Sequence, residues 1–363
     1  MADRETLGVY ERRAAEWTAQ RSGITDDIDG FVERLGPEHR PVLDLGCGPG
    51  QYLSRLPHGS IALDAVSELL AEVPRHAPTA RRVRADLSWL PLRTGSIGAV
   101  WANKSLIHLP RPQVPMALWD LHRTLRMDAP VELGLFGGDQ DFGPVADDDF
   151  PGRSFSLWPE DLLLAVAEGA GFVDATISRR ERGERVFLTL RARRGFALAD
   201  TVAGGLRLLV VGLNPSVLSA ERGIGFVRTG NRFWPAALEA EIVDRDRDPV
   251  AALRDHGIGM TNLVTRPTRR ADELSAAEYR AGARRLDLLC AWLRPAAVCV
   301  VGVTGWRAAV GEPKATLGWQ SRRFGGCPTY VMPNPSGLNA HTNVADLAAH
   351  LRTAISPVSS RRA

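Results

Sequence analysis

The stretch Arg207-Leu-Leu-Val-Val-Gly-Leu-Asn-Pro-Ser216 decides the fold of the second half of this chain. A short apolar run that stops at glycine and proline is typical of an inner parallel strand, and open α/β sheets bind ligands at the carboxyl ends of such strands. The run ends near one polar side chain, Asn214, which we therefore predict to lie in a site. A second strand end of this kind follows downstream, at Tyr330-Val-Met-Pro-Asn-Pro-Ser-Gly-Leu-Asn-Ala-His341.

Strand and helix patterns alternate throughout the region that contains these two strand ends. Strand patterns occur at 207–212, 258–264, 297–301 and 328–332, and the longest helix pattern is Ala276–Leu293. Strands separated by helices imply a parallel sheet with helices on both faces. We therefore predict an α/β fold of three layers, α/β/α, for this part of the chain.

Two more stretches lie between the strand ends, Phe226-Val-Arg-Thr-Gly-Asn-Arg-Phe-Trp234 and Gly257-Ile-Gly-Met-Thr-Asn-Leu-Val-Thr-Arg-Pro-Thr268. In this order and at these spacings, the four stretches resemble the mismatch-specific uracil-DNA glycosylase and thymine-DNA glycosylase family, from about Leu206 to Thr353. The resemblance implies a uracil-DNA glycosylase fold with a four-stranded parallel sheet. It also implies a base-excision repair enzyme, without a cofactor, that hydrolyses the N-glycosidic bond of uracil or thymine mispaired with guanine in double-stranded DNA.

The resemblance gives roles to four residues of a base pocket. Asn214 is the expected catalytic residue: its neutral amide is no strong base, so it would hold a water against the sugar carbon while oxocarbenium charge develops. Phe226 is expected to stack on the flipped-out base, Asn262 to hydrogen-bond its edge, and Asn231 to brace the pocket wall. Asn214 and Phe226 have a simpler interpretation too, because Asn-Pro starts turns and a phenylalanine after a strand is usually core.

The sequence departs from the resembled family directly after Asn214. Gly-Leu-Asn-Pro-Ser stands where the family has Gly-Ile-Asn-Pro-Gly, so Ser216 adds a side chain where the backbone is normally bare. Leu218 and Ser219 are expected to line the side of the pocket that faces the 5-position of the base. We therefore expect uracil to be preferred over thymine.

A wedge that enters the DNA stack is expected at Gly337, Leu338 and Asn339. By resemblance, Leu338 takes the place of the extruded nucleotide, as apolar wedges do in other DNA-bending proteins, and Asn339 reads the orphaned partner base. The alternative interpretation is that Asn-Pro-Ser-Gly is simply a turn.

Lysine content limits the chemistry of strand cleavage. The chain holds two lysines, Lys104 and Lys314, and neither lies in a pocket stretch. A lysine Schiff base, which would cleave the strand, is therefore disfavoured. We expect a monofunctional glycosylase that leaves an intact abasic site.

The first half of the chain is organised around Pro41-Val-Leu-Asp-Leu-Gly-Cys-Gly-Pro-Gly50. The alternating glycines Gly46, Gly48 and Gly50 let the backbone approach a ligand closely, and the next helix offers unpaired N–H groups at its start. With the leading Asp44, this loop resembles the first motif of class I S-adenosylmethionine-dependent methyltransferases. The resemblance implies a Rossmann-like methyltransferase fold with S-adenosylmethionine as its cofactor.

The rest of the methyltransferase pattern follows in register. Ser60-Ile-Ala-Leu-Asp64 is a predicted second strand that ends in an acid placed where that family binds ribose hydroxyls. Val83-Arg-Ala-Asp-Leu87 is a predicted third strand, and its Asp86 lies where the family contacts the adenine amine. Strand patterns at 97–103 and 131–136 follow. The segment Arg185–Arg191 suits a closing antiparallel hairpin.

The methyl acceptor is only partly constrained. The stretch Asn103-Lys-Ser-Leu-Ile-His-Leu-Pro110 has neither the Asn/Asp-Pro-Pro-Tyr/Phe motif of DNA amino-methyltransferases nor the Pro-Cys nucleophile of cytosine-C5 enzymes. An acceptor base in DNA is thereby disfavoured. A small molecule, an RNA nucleoside and cofactor binding without turnover all remain open. His108 is either a base near the acceptor or a residue that covers the cofactor.

Length and local composition suggest two domains. At 363 residues the chain exceeds one comfortable core. We predict a methyltransferase-like domain at 1–195, a linker at 196–205, a glycosylase domain at 206–356 and a flexible tail at 357–363. The linker prediction rests on weak periodicity and two closing glycines.

The charge is unevenly divided between the two halves. Residues 1–195 carry 24 Lys and Arg against 28 Asp and Glu, a net −4, whereas residues 196–363 carry 21 against 14, a net +7. The second half is therefore the one suited to a polyanion such as DNA, although a solvated arginine-rich surface would have the same charge.

The cysteine pattern and the hydropathy of the sequence argue against several classes of protein. The cysteines Cys47, Cys290, Cys299 and Cys327 have irregular spacings and form no Cys-x-x-Cys pair, so we expect no metal site, iron–sulfur cluster or disulfide framework. No apolar run reaches the roughly 18 residues of a membrane span, and the N-terminus is charged. We therefore expect a cytoplasmic protein without a membrane partner.

Two other interpretations remain open. In one, methyl transfer to an RNA nucleoside or a small molecule is the main activity, and the glycosylase fold is a nucleic-acid docking module. In the other, the protein only binds its partner. Substitution of Asn214 separates these from the glycosylase hypothesis, which alone requires that side chain.

Overall fold

The computed structural model describes residues 3–21, 28–146, 148–270, 273–337 and 342–356. The chain divides into two compact units. The first comprises residues 1–167 and 172–195, and the second comprises residues 168–171 and 196–363. Both units combine helices with a largely parallel sheet, which confirms the predicted α/β class. The predicted tail at 357–363 lies outside the described residues.

The described residues of the first unit form nine strands and six helices, the last of which ends in the second unit. The helices are α1 (Arg4–Arg12), α2 (Ala14–Arg21), α3 (Ile28–Glu33), α4 (Ser67–His76), α5 (Val114–Thr124) and α6 (Glu160–Gly169). The strands are β1 (Val42–Leu45), β2 (Ile61–Asp64), β3 (Arg81–Arg84), β4 (Ala99–Asn103), β5 (Pro130–Gly137), β6 (Gln140–Gly143), β7 (Phe155–Trp158), β8 (Phe172–Arg182) and β9 (Arg185–Arg194).

These strands form one sheet with a Rossmann-like order. β3, β2, β1, β4 and β5 lie side by side in parallel. β9 runs antiparallel beside β5, β8 pairs with β9, and the β6–β7 hairpin joins the end of β5. The order 3-2-1-4-5 is typical of a Rossmann-like sheet, so that predicted fold is confirmed.

The third strand begins earlier than its apolar pattern indicated. We predicted it at 83–87, whereas β3 occupies Arg81–Arg84 and leaves three of its four residues exposed. β3 is an edge strand with β2 as its one neighbour, so its arginines reach solvent while its backbone still pairs. An exposed edge strand has no apolar run that would fix its start.

The second unit contains five strands and six helices among its described residues. In chain order these are β10 (Leu208–Gly212), α7 (Val217–Arg222), α8 (Phe233–Glu239), α9 (Pro249–His256), β11 (Ile258–Asn262), α10 (Ala276–Leu293), β12 (Val298–Val301), α11 (Val303–Val310), β13 (Gly318–Trp319), β14 (Thr329–Met332) and α12 (Val344–Ile355).

The sheet of the second unit has the four parallel strands that the sequence predicted, and one more. β11, β10, β12 and β14 are parallel and fully buried. The two-residue strand β13 adds an antiparallel edge beside β14. Buried residues of α8, α9 and α12 pack with the strands in one hydrophobic cluster. The parallel strands end on the same edge of the sheet, where the polar residues of the predicted site follow.

Local signals set where β11 begins. Asp248 caps α9 by accepting from Ala251 N at 2.9 Å, and Pro249 occupies the first helical turn. α9 ends at Gly257, whose φ of 67° is left-handed, and β11 starts at the next residue. The end of α9 therefore fixes the start of β11, the strand that ends at Asn262.

The segment 196–205, which we predicted as a linker, packs into the second unit. Residues 197–202 are buried, and Thr201 forms an antiparallel bridge to Met260 with both N–H to O distances at 2.9 Å. Asp200 also pairs with Arg285 at 2.8 Å. The segment thus adds to the free edge of β11. Its partners lie 59 and 85 residues away in the chain, too far for local periodicity to show the pairing.

Candidate active site

A pocket opens at the carboxyl ends of β10, β11, β12 and β14. It brings together five of the residues that the sequence placed in or beside the base pocket: Asn214, Ser219, Phe226, Asn231 and Asn262. The remaining lining residues are Leu198, Ala199, Thr201, Leu213, Pro215, Ser216, Gly223, Gly225, Arg228, Pro249, Met260, Thr261, Thr268, Arg269, Arg270, Val301, Asn334 and Ser336.

The orientation of the Asn214 carboxamide is fixed by its neighbours. One end of the carboxamide lies 2.7 Å from Thr268 Oγ1 and 3.2 Å from the carbonyl oxygens of Arg266 and Pro215. Because carbonyl oxygens only accept hydrogen bonds, that end must be the amide nitrogen, Nδ2. Oδ1 is then the free acceptor of the group, and no donor to it occurs among the residues that the structure describes.

Thr268 is a site residue to which the sequence gave no role. Its side chain is buried, and its backbone N–H donates to Pro215 O at 3.1 Å. A parallel bridge between Ser216 and Thr268 ties the loop after β11 to the loop after β10. The signal available in the sequence was its position at the end of the stretch that begins at Gly257.

Phe226 occupies a strained backbone position at the pocket wall. Its φ is +56°, which costs an L-residue of this size about 1–3 kcal/mol. Its ring stacks on Phe233 with centroids 4.3 Å apart, and Trp234 Nε1 donates to Gly225 O at 2.8 Å beside it. Two buried aromatic residues therefore hold the Phe226 ring where it lines the pocket.

Asn262 reaches the pocket across a glycine. A Cβ at Gly212 would lie 2.5 Å from Asn262 Oδ1, so any other residue at 212 would displace this carboxamide. Asn231 is placed differently: its Oδ1 accepts from Phe233 N at 2.9 Å, which stabilises the start of α8.

Ser216, the departure from the resembled family, has a structural role of its own. It is the N-cap of α7, where its Oγ accepts from Ser219 N at 3.1 Å and lies 3.0 Å from Ser219 Oγ. Both serines line the pocket. Leu218, which we expected beside them, is exposed and is not among the lining residues.

The predicted wedge is described only at its start. Gly337 is exposed, whereas Leu338 and Asn339 lie outside the described residues. The two flanks of this segment share one partner: Arg232 donates through its guanidinium to Ser336 O at 2.7 Å and to Thr342 O.

The charged side chains that line the pocket are all positive among the described residues. Its lining contains Arg228, Arg269 and Arg270, which are exposed, and no Asp, Glu, His, Lys or Cys among the described residues. No side chain there can accept a proton at neutral pH. The arrangement can hold a water through neutral groups and attract an anion to its mouth.

A cleft in the first unit lies at the glycine loop after β1. Gly46, Gly48 and Gly50 all have left-handed backbones, with φ of 74°, 54° and 88°. A Cβ at Gly46 would lie 2.2 Å from Ser105 Cβ, so the loop also needs glycine for space. Gly46 N donates to Leu63 O at 2.8 Å, which holds the loop against β2.

The three acids predicted to bind the cofactor occupy different positions. Asp64 lines the cleft, and its two oxygens accept from Gly48 N at 2.8 Å and Val66 N at 2.9 Å. Asp86 is half-buried and accepts from Ser88 N at 2.8 Å. Asp44, Asp86 and Gly50 are not among the residues that line the cleft.

The buried carboxylate Asp44 has an unsatisfied oxygen. Its Oδ2 has no hydrogen-bond partner among the described residues. Burial raises the pKa of Asp44 well above the usual range for an aspartate, and the charge of Asp64 adds to the effect. A cation bound near this loop would compensate both carboxylates.

The far end of the cleft carries a hydrogen-bonded chain that includes His108. Its Nδ1 lies 2.9 Å from Ser154 O and its Nε2 lies 2.9 Å from Tyr10 Oη. Arg153 donates to the same phenol oxygen at 2.8 Å and forms an ion pair with Asp148. Burial lowers the pKa of His108 to about 4 and raises that of Tyr10 to about 12, so both side chains are neutral near pH 7. The sequence had singled out His108 but not Tyr10 or Arg153.

Comparison with known protein families agrees with these two sites. Residues 199–355 match the family model described as the uracil DNA glycosylase superfamily, and residues 42–128 match one described as a methyltransferase domain. The second unit is thus a uracil DNA glycosylase superfamily domain, and the first unit carries a methyltransferase domain. The finer assignment, to the mismatch-specific branch, remains a prediction.

Several solved structures resemble part of the chain. A SAM-dependent methyltransferase from Methanosarcina mazei is 16% identical with a TM-score of 0.38, and the match covers 46% of this chain and 97% of the other. Phosphoethanolamine N-methyltransferase 2 from Haemonchus contortus, in complex with S-adenosyl-L-methionine, is 14% identical with a TM-score of 0.41 over 52% of this chain and 57% of the other. An S-adenosylmethionine-dependent methyltransferase from Mesorhizobium loti is 17% identical with a TM-score of 0.36 over 47% and 98%.

Neither a metal-binding cluster nor a membrane-spanning helix occurs among the described residues. Within the described parts of the chain, no three His, Cys, Asp or Glu side chains come together as a metal site would require. None of the helices in those parts is long and apolar enough to span a membrane.

Proposed function

We propose that the second unit is a monofunctional DNA glycosylase that hydrolyses the N-glycosidic bond of uracil opposite guanine in double-stranded DNA, with thymine as a poorer substrate. The observation that carries the proposal is the Asn214 carboxamide. Among the described residues, its nitrogen is held by three acceptors, its oxygen has no donor, and the basic side chains that line the pocket are all arginines.

This geometry suits hydrolysis through a positioned water. Asn214 Oδ1 would accept a hydrogen bond from the water and orient a water lone pair toward the sugar carbon C1′. As the bond from C1′ to the base nitrogen breaks, its electron pair leaves with the base and positive charge develops on the sugar. The water oxygen then bonds to C1′, and its proton is lost to solvent. Without a strong base, placement alone must accelerate the reaction, so we expect a slow enzyme.

The pocket walls would bind the extruded base. The Phe226 ring, supported by Phe233, offers a stacking surface worth about 1–3 kcal/mol per base. The Asn262 carboxamide can both donate to and accept from a base edge. Together they would offset the few kcal/mol that unstacking a nucleotide costs.

The two lysines support a monofunctional enzyme. Lys104 belongs to the first unit, and Lys314 is exposed and does not line the pocket. Strand cleavage through a lysine imine therefore has no nucleophile in this site. The product would be an intact abasic site.

The test compares wild-type protein with Asn214→Ala on a labelled duplex that contains one G·U pair. Abasic sites are converted to breaks by alkali, and duplex binding is measured separately by fluorescence anisotropy. We expect the variant to lose about 100- to 1000-fold in single-turnover rate, as loss of one preorganised polar group does elsewhere, while its duplex affinity is retained. Equal release by both proteins would defeat the proposal.

A second function is favoured by the first unit. We propose that its cleft binds S-adenosylmethionine, with Gly46 and Gly48 against the cofactor and Asp64 on the ribose hydroxyls. The unsatisfied oxygen of Asp44 supports this fit, because the cofactor is a cation. When bound, the cofactor supplies an electrophilic methyl group.

The residues at the far end of the cleft could then take a proton from the methyl acceptor. Ser154 O can only accept, so His108 carries its proton on Nδ1, and Tyr10 must donate to Nε2. One lone pair of the Tyr10 oxygen takes the Arg153 hydrogen bond, and one remains for an acceptor N–H or O–H. A proton passed to Tyr10 would move the Tyr10 proton on to His108.

The alternative function, in which methyl transfer is the main activity and the second unit only docks nucleic acid, makes opposite predictions. It requires S-adenosylmethionine binding that is lost in Asp64→Ala, and no base release from any duplex. Equilibrium dialysis with the cofactor, together with release assays on uracil, thymine and hypoxanthine opposite guanine, distinguishes the two.

A further inference from the structure

Helix α10 contacts the backbone of the base-reading residue through a buried arginine. The Arg285 guanidinium donates from one nitrogen to Asp200 Oδ2 at 2.8 Å, and from another to Thr261 Oγ1 and Asn262 O, both at 2.8 Å. Arg285 and Asp200 are 4% and 5% exposed. One planar group thus connects the segment before β10 to the end of β11.

A second contact between the same helix and the same strand end is made by Gly282. A Cβ at this position would lie 1.8 Å from Leu263 O, so the helix backbone rests directly on the residue after Asn262. Gly282 and Arg285 are three residues apart and share one face of α10. The backbone of residues 261–263 is therefore held from behind by two independent contacts.

A gain in folding stability does not explain the buried ion pair between Arg285 and Asp200. Removing two charges from water costs several kcal/mol, and apolar residues of the same volume usually stabilise a core at least as well. Burial alone would lower the pKa of Arg285, but the charge and hydrogen bond of Asp200, together with the charges of Glu168 and Cys290, raise it overall, so the guanidinium keeps its charge. The ion pair holds the N–H donors of the Arg285 guanidinium in fixed positions behind Asn262, which apolar residues could not do.

We propose that Arg285 and Asp200 are positioning residues that set the direction of the Asn262 carboxamide and so determine which base the pocket accepts. The inference rests on the glycosylase function proposed above. Asn262 Oδ1 occupies the space over Gly212, where the edge of the Phe226 ring also lies, and the backbone at 262 sets the direction in which the carboxamide enters that space. That backbone is held by Arg285 from one side and by β10 from the other.

The discriminating variant is Arg285→Lys. A lysine keeps the positive charge beside Asp200, but it lacks the planar fork that reaches Thr261 and Asn262 at once. On a G·U duplex with saturating enzyme, we expect the single-turnover rate to fall by about 10- to 100-fold, as small misplacements in active sites do. Duplex affinity should stay within about twofold, because Arg285 is buried and contacts no DNA.

Two further variants keep the test decisive if Arg285→Lys folds poorly. Thr261→Val removes one acceptor of the guanidinium without changing any charge. Asp200→Asn combined with Arg285→Met removes both charges and leaves no unpaired ion. Both should lower the rate per folded molecule and narrow the preference for uracil over thymine, which a loss of stability alone would not do.

The matched control is Arg322→Lys, which makes the same exchange in an ion pair to Asp287 on the same helix. Arg322 does not contact residues 261–263, so its rate should equal that of the wild type. If Arg285→Lys and the two further variants also release uracil at the wild-type rate with unchanged base preference, the positioning role is wrong although the glycosylase stands. If the wild-type protein itself releases no uracil, both proposals fail together.

Discussion

The substitution Thr268→Val tests most directly how Asn214 is oriented. Valine has nearly the shape of threonine, and the backbone N–H of residue 268 still donates to Pro215 O, so the loop should stay in place. The substitution removes only the hydroxyl that accepts from Asn214 Nδ2 at 2.7 Å. The water-binding oxygen of the carboxamide is left untouched.

The expected size of the effect follows from the contacts that remain. A neutral hydrogen bond contributes about 1 kcal/mol net, which corresponds to roughly a fivefold change in an equilibrium. The carbonyl oxygens of Arg266 and Pro215 still accept from Nδ2, and a flipped carboxamide would point its oxygen at both. The carboxamide should therefore keep its orientation in the variant but hold the water less firmly. If the lost hydrogen bond of about 1 kcal/mol is felt fully in the transition state, the rate should fall by about 5- to 10-fold.

The assay is single-turnover release of uracil from a G·U duplex at saturating enzyme, with Asn214→Ala measured in parallel. Duplex affinity and the unfolding temperature are recorded for each protein. A rate within about twofold of the wild type would refute the anchoring role, because that is the size of a neutral surface change. A rate as low as that of Asn214→Ala would refute the assignment of the water to Asn214 and of the anchoring role to Thr268, because the Thr268 hydroxyl would then act on the water itself.

Three other perturbations probe the charges of both units. Arg269→Ala should weaken duplex binding and reduce the slope of log K against log salt by about 0.9, the contribution of one phosphate contact, measured by anisotropy between low and moderate salt; an unchanged slope would exclude a phosphate contact. Because burial lowers the pKa of His108 to about 4, affinity for S-adenosylmethionine should be flat between about pH 5 and pH 8 by calorimetry, whereas a histidine of ordinary pKa would add a charge near pH 6.5. Asp44 has a raised pKa when folded, so the folded state binds the extra proton and stability should fall as pH rises above about 4; Asp44→Asn should make this fall in the unfolding temperature smaller, and identical pH profiles would show that Asp44 does not contribute to it.

The strands that position both sites were predictable from sequence because their neighbours bury them on both faces. β10, β11, β12 and β14 read as short apolar runs that stop at polar or turn residues, so Asn214 and Asn262 could be assigned to strand ends. The edge strand β3 had no such run, and its start was misjudged for that reason.

The residues that hold the site residues in place could not be predicted. Thr268 contacts Asn214 across 54 positions, and Arg285 pairs with Asp200 across 85. Neither contact leaves a periodic pattern or a turn signal. For the same reason the segment 196–205 looked like a linker: its apolar residues lack a local partner and pack only once β11 is in place.

The two units differ in the charge of their sites: the cleft of the first unit lies beside buried acids, and the pocket of the second unit is lined by neutral and positively charged groups. The cleft of the first unit lies beside the buried carboxylates Asp44 and Asp64, whose pKa values are raised by burial, so it suits a cationic ligand. The pocket of the second unit has arginines at its rim and neutral amides and hydroxyls within. A carboxylate there would repel the phosphates on each side of an extruded nucleotide, whereas Asn214 can orient a water without opposing DNA. The neutrality of that pocket is therefore what the proposed function requires, because a site that acts on DNA must first admit a polyanion.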